Sequence, residues 1–183
     1  MPTGSARWGG EVAEARRNAA EERPHSFPPS FAADARVLIL GSMPGGESLR
    51  QQQYYAFRHN VFWRMMGEIC SFSPALPYPE RLAALRRSGI ALWDVLARCE
   101  RAGSLDSAIA HPEPNPIPEL LRSCPKIGLI LCNGSAAGRF FQRFFPETAI
   151  PVRVMPSTSP AAARMRYQEK LASYRAALEP WLL

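Results

Sequence analysis

The stretch Val37 to Trp63, VLILGSMPGGESLRQQQYYAFRHNVFW, decides how the rest of the chain is read. Val37 to Leu40 is a short, unbroken aliphatic run, the pattern of a strand buried on both faces. It breaks into Gly41-Ser42-Met43-Pro44-Gly45-Gly46, a sharp turn where backbone can approach a ligand closely. In open α/β sheets, ligands bind beyond the carboxyl ends of strands. Two adjacent tyrosines follow, Tyr54 and Tyr55, and then Arg58-His59-Asn60. Val61-Phe62-Trp63 reads as the first turn of a helix, with Asn60 as its N-cap. A strand end, a glycine turn, two flat aromatics and one amide are equipment for gripping a planar ring against backbone.

Outward from this stretch, the chain fits one domain. It has 183 residues, 46% of them hydrophobic, enough for a full core. The formal net charge is +6, carried almost wholly by arginine, since Lys126 and Lys170 are the only lysines. That balance suits a polyanionic partner, although a GC-rich coding sequence would also favour arginine. No run is apolar over the ~18 residues that a membrane span needs, and no signal peptide opens the chain. A soluble, cytoplasmic monomer without a cofactor is the expectation. Cys70, Cys99, Cys124 and Cys132 lack paired C-x-x-C spacing and accompanying histidines, so they read as buried thiols rather than zinc or iron–sulfur ligands. His25, His59 and His111 form no metal-spacing pair.

Residues 1–30 are polar and alanine-rich and read as a loosely structured arm, with a possible helix over 11–22 ended by Pro24, Pro28 and Pro29. The domain proper is expected over 31–183. Helices are expected from Val61 to Cys70 and from Glu80 to Arg87, with Gly89 as a stop. Ile90 to Trp93 is a second buried strand ending on Asp94, followed by a helical turn or two over Val95 to Arg101. Gly103 to Pro118 reads as a long loop, its four spaced prolines forbidding a helix. A short helix over Glu119 to Ser123 and a third strand, Ile127 to Cys132, lead to Asn133-Gly134. A helix from Ser135 to Phe145, a fourth strand from Pro151 to Met155 and a last helix from Tyr167 to Leu178 complete the chain.

Strands alternating with helices predict an α/β fold, a single three-layer α/β/α domain around a four-stranded, mainly parallel sheet. Its strand ends, Gly41-Ser42, Asp94, Asn133-Gly134 and Pro156-Ser157, then share one edge. That convergence predicts a single site, although turn residues collect at any strand end. Gly41-Ser42-Met43-Pro44-Gly45 carries Met43 where a nucleophile elbow needs serine, and no phosphate-binding P-loop is present. What remains is chemistry without a cofactor and with little acid–base demand. Hydrolysis of an N-glycosidic bond fits: an amide orients water, backbone N–H groups meet the departing base, and Ser and Pro-Ser backbone binds phosphates.

Gly41-Ser42-Met43-Pro44-Gly45, then Tyr54-Tyr55, then Asn60-Val61-Phe62-Trp63 resemble the uracil-DNA glycosylase superfamily, most of all its hypoxanthine-DNA (deoxyinosine) glycosylase branch. The resemblance spans about Val37 to Tyr174. It implies a DNA partner containing deaminated bases, hypoxanthine first and uracil second. It implies Asn60 as the catalytic residue, with Tyr55 stacking on the extruded base. Asp94 stands where the uracil-specific members carry a base-reading asparagine, and Gly41, Ser42 and Met43 complete the base-binding set. Met155-Pro156-Ser157-Thr158-Ser159-Pro160 resembles the loop that grips the backbone beside the lesion, implying Pro156, Ser157 and Ser159 as DNA-backbone contacts. Two positions depart from the pattern. Met43 stands where many relatives place a water-positioning Asp or Asn, and Met155 where others have a histidine facing the leaving base. A non-catalytic lesion-binding module and a small-molecule hydrolase are the alternatives on the same framework.

Overall fold

The computed structural model describes residues 23–162 and 164–183. The helix expected over 11–22 lies outside these. Four strands form the main sheet: β1 (Val37–Gly41), β2 (Ile90–Asp94), β5 (Leu129–Asn133) and β6 (Val152–Met155). Their order is β2-β1-β5-β6 and every neighbouring pair is parallel. The register sets Gly41 opposite Asp94, and Asn133 opposite Met155. The carboxyl ends of all four strands therefore reach one edge.

β1 has neighbours on both sides and helices over both faces, so Val37 to Leu40 are wholly buried. β6 is an edge strand and is mostly exposed. Helices α1 (Gly46–Gln51), α2 (Phe62–Cys70), α3 (Tyr78–Arg87), α4 (Ile117–Ser123), α5 (Ser135–Phe144) and α6 (Tyr167–Leu178) surround the sheet. Phe62, Met65 and Met66 of α2, Leu85 of α3, Phe141 of α5 and Tyr174 of α6 supply the largest buried side chains against it.

Two readings are corrected. Val95 to Arg101 is not helical: Leu96–Arg101 is strand β3, which pairs antiparallel with β4 (Ile109–Pro114) across the segment expected to be a loop. The sequence LARCER holds good helix formers, but backbone pairing overrides that preference. Val95 N–H and Leu96 N–H donate to the carbonyls of Gly41 and Ser42 (2.8 and 3.1 Å). The buried Asn115 amide donates to the Asp94 and Leu96 carbonyls (2.9 and 3.0 Å), pinning this backbone extended. The prolines of β4 are tolerated because a two-stranded ribbon has open edges.

The second correction concerns the arm. Residues 25–30 pack along β3 and the outer edge of β2 rather than hanging free. Ser30 and Leu92 exchange backbone bonds (2.9 and 2.8 Å), and Ser26 N–H donates to the Ala97 carbonyl (2.8 Å). Phe27 joins the core, and its carbonyl accepts from Trp93 Nε1 (2.9 Å) and the Tyr54 hydroxyl (3.1 Å). The strap covers an edge that β2 would otherwise leave unpaired. The core therefore begins before Phe31.

Candidate active site

A cavity of about 400 Å³ opens at the carboxyl edge of the sheet. Gly41, Ser42, Met43, Tyr55, Asn60, Asp94, Ser157 and Ser159 all line it, so most of the sequence-predicted set comes together. Pro156 does not, and its carbonyl instead accepts from the Tyr174 hydroxyl (3.2 Å). Met155 is buried and also lies outside the lining, so its side chain takes no part in the cavity wall.

The floor is made by Gly41, Asp94 and Tyr55 in close contact. A Cβ at Gly41 would lie 2.3 Å from Asp94 Oδ1 and 3.2 Å from the Tyr55 hydroxyl, so only glycine lets both groups approach the strand end. Asp94 is 3% exposed. Burial pushes its carboxyl from 3.8 up to about 7, against the opposing pull of the Ser26 hydroxyl. That hydroxyl donates to Asp94 Oδ2 (3.0 Å). Because strand β3 follows it, Asp94 caps no helix. Tyr55 turns its backbone into the left-handed region (φ 54°) and stacks on Phe62, ring centroids 3.9 Å apart at 23°. Its buried hydroxyl has no hydrogen-bond partner among the described residues, and burial raises its pKa, with Asp94 adding to the effect.

Asn60 sits where the Tyr54–Tyr55 segment meets α2. Its Oδ1 accepts from Phe62 N–H (3.0 Å), the local bond that fixes the side chain at the helix start. One lone pair of that oxygen and the whole Nδ2 group remain for the cavity. Val61 N–H donates to the Thr158 carbonyl (3.1 Å), tying α2 to the Pro156–Pro160 loop. Asn133 and Thr158 clamp this loop reciprocally: Nδ2 donates to Thr158 Oγ1 (2.9 Å) and Thr158 N–H donates to Oδ1 (3.0 Å). Ser159 N–H donates to Ser157 Oγ (3.2 Å), so the loop is rigid through its own side chains.

A profile of the Uracil DNA glycosylase superfamily matches residues 28–182. The chain belongs to that superfamily. It is 38% identical over 119 residues to the Hypoxanthine DNA glycosylase of Methanosarcina barkeri, covering 64% of this chain and 75% of that protein. It is 37% identical over 139 residues to the Hypoxanthine DNA glycosylase of Methanosarcina acetivorans, covering 75% of this chain and 87% of that protein. A solution NMR structure of a Methanosarcina acetivorans protein, provisionally named a uracil DNA glycosylase, superposes with a TM-score of 0.74 at 34% identity, covering 86% of this chain and 99% of that one.

This superfamily member has a second cavity wall that sequence reasoning missed. Ser104, Leu105 and Asp106, from the connection between β3 and β4, also line the site. Ser42 Oγ donates to Asp106 Oδ1 (2.7 Å), and Gly46 N–H donates to Ser104 Oγ (2.8 Å). The Arg101 guanidinium, 1% exposed, donates to the Pro44 carbonyl and lies 4.0 Å from Asp106 Oδ1. Asn133, Thr158 and Phe57 are further lining residues not singled out as site residues. The available signal was the long Gly103–Pro118 segment itself, since unstructured connections of that length are uncommon unless functional.

Proposed function

We propose that the chain is a DNA glycosylase that hydrolyses the N-glycosidic bond of deaminated bases, hypoxanthine first and uracil second, and leaves the strand uncut. The observation that carries this reading is one cavity with an aromatic platform, an amide and a buried carboxyl at the sheet edge. Tyr55, backed by Phe62, offers a ring face for an extruded base. Asp94 lies at the floor to read the base edge, and protonated it both donates and accepts. Asn60, half-fixed by Phe62 N–H, orients the attacking water. The Ser157–Ser159 loop meets the phosphates flanking the lesion. Exposed Phe57 and Leu105 at the cavity, and exposed Arg164, Met165 and Arg166 beyond the loop, give an apolar and basic mouth suited to a distorted duplex.

The lining supports hydrolysis without strand cleavage. A Schiff-base mechanism needs an amine facing the sugar. Of the two lysines, Lys170 is the one near the site. Its Nζ donates to the Ala162 carbonyl (2.9 Å), so it serves loop backbone and does not line the cavity. The test is base release from duplexes carrying hypoxanthine, uracil, xanthine or a G·T mispair. Free hypoxanthine with an intact abasic strand is the expected product, and lesion binding without release would mean a binding module instead. Asn60→Ala should lower single-turnover release by roughly 10²-fold, the scale for one positioned polar group, with lesion affinity little changed. Full activity in that variant would leave Asn60 as a helix-start residue alone.

A further inference from the structure

We propose that Asp106 supplies the carboxylate that faces the sugar as the glycosidic bond breaks, in the role that the side chain of Met43 cannot fill. The inference rests on the glycosylase reading. As the base departs, positive charge spreads over C1′ and the ring oxygen of the sugar, and a nearby carboxylate both stabilises that charge and receives a proton from the attacking water. Met43 is a buried thioether with neither capacity. Asp94 shares the cavity, but it sits 3% exposed at the floor beside Tyr55, where the base would lie rather than the sugar.

Asp106 lines the cavity from the β3–β4 connection. Ser42, the residue before Met43, donates to its Oδ1 (2.7 Å), so the carboxylate is seated on the same turn that Met43 belongs to. Oδ2 makes no hydrogen bond among the described residues, and the side chain is 44% exposed. The seat is built rather than incidental. Arg101 is buried behind it, bonded to the Pro44 carbonyl and 4.0 Å from Oδ1, and Ser104 holds the Gly46 N–H. These bonds lock the β3–β4 connection onto the glycine turn. Arg101 is thus a positioning residue, its Nη1 lying 4.0 Å from Asp106 Oδ1 and holding no other partner among the described residues. In the step itself, the C1′–N9 bond breaks and its electron pair leaves with the hypoxanthine. Water oxygen forms the new bond to C1′. One water proton passes to Oδ2 and on to solvent, and the released base takes a proton from solvent.

Asp106→Asn keeps an acceptor for Ser42 and removes the charge. Two measurements test it on the full chain. Single-turnover release of hypoxanthine should fall by about 10²-fold, the scale for one transition-state group. Independently, the protein should bind a duplex bearing a cationic pyrrolidine at the abasic position more tightly than one bearing neutral tetrahydrofuran, and Asp106→Asn should cut that preference by about tenfold, as loss of a close charge partner predicts. A variant that folds like the wild type and keeps the full pyrrolidine preference overturns the inference. A wild type that releases no base from any lesion duplex sinks the glycosylase reading instead, and the pyrrolidine ratio still reports on Asp106.

Discussion

The two walls of the cavity are built differently. The sheet wall rests on the parallel strands β1 and β2, whose residues are all buried, and its carboxyl, Asp94, is 3% exposed. The hairpin wall rests on a two-stranded ribbon with register shifts, and its carboxyl, Asp106, is 44% exposed. On the first wall, position follows from strand register and cannot drift without breaking the core. On the second, position follows from three polar anchors, Ser42–Asp106, Gly46–Ser104 and Pro44–Arg101. Each wall therefore suits a different task. On the proposed reading, the rigid, dry wall is the one suited to a planar base, while a half-exposed wall can keep a charge that a dry site would neutralise.

The largest effect should come from breaking the sheet wall at its tightest point. Gly41→Ala puts a methyl 2.3 Å from Asp94 Oδ1, which that carboxyl cannot tolerate where it stands. We expect excision to fall by more than ~10²-fold, because displacement of about 1 Å in a positioned site costs that much, and stability to fall by about 1–3 kcal/mol as in overpacked cores. Gly45→Ala is the control on the hairpin side, where the new methyl would meet only Ser104 atoms at 3.8 Å. Equal damage from the two substitutions, compared by excision rate and thermal melting, would erase the distinction between the walls.

The same contrast explains what the sequence made legible. Buried strands announce themselves as aliphatic runs, so β1, β2 and the parallel sheet could be read directly, and with them Gly41, Ser42 and Asp94. Helix α6 was read to its ends, Tyr167 and Leu178. The hairpin wall could not be read. Leu96 to Arg101 has helical composition, and what makes it extended is Asn115, a residue nineteen positions after Leu96, together with the Gly41 and Ser42 carbonyls. Phe27 and Ser26 were likewise hidden inside a proline-rich, polar segment, because their partners, Trp93 and Asp94, are remote in sequence. Side-chain anchoring over long separations leaves no periodicity to detect.

A middle-sized effect should come from Tyr55, which belongs to the sheet wall through Phe62. Stacking on a base is worth ~1–3 kcal/mol, so Tyr55→Ala should slow lesion processing by about tenfold to a hundredfold. Tyr55→Phe should process lesions nearly as well as the wild type. Its hydroxyl is buried without a partner among the described residues, so removing it relieves a desolvated polar group, and the melting temperature should hold or rise. A Tyr55→Phe variant as slow as Tyr55→Ala would mean that the hydroxyl, not the ring, acts on substrate.

The smallest and sharpest effect concerns Asp94 and pH. Burial holds its carboxyl at about 7, so between the ordinary value of 3.8 and about 7 the folded protein keeps a proton that the unfolded chain has released. Folding then takes up a proton across that interval. The contribution of this group to stability is full below the lower value and is lost as pH rises through about 7. Asp94→Asn abolishes the titration, so its unfolding free energy should fall less than the wild type's between about pH 5 and pH 8, the two differing by on the order of a few kcal/mol at most, as read by denaturant unfolding at each pH. On the proposed base-reading role, the same proton also sets recognition. Protonated Asp94 offers one donor and one acceptor, as asparagine does, and matches the carbonyl beside N–H that both hypoxanthine and uracil present. Ionised, it meets the N–H but not the carbonyl. At pH 6 the wild type and Asp94→Asn should therefore differ little on hypoxanthine, whereas at pH 8 the variant should gain several-fold relative to the wild type, and its ratio of uracil to hypoxanthine excision should rise. Excision of both bases by both proteins at the two pH values decides the matter. Parallel pH profiles with an unchanged base ratio would falsify a base-reading role for Asp94 and leave its carboxyl a structural partner of Ser26.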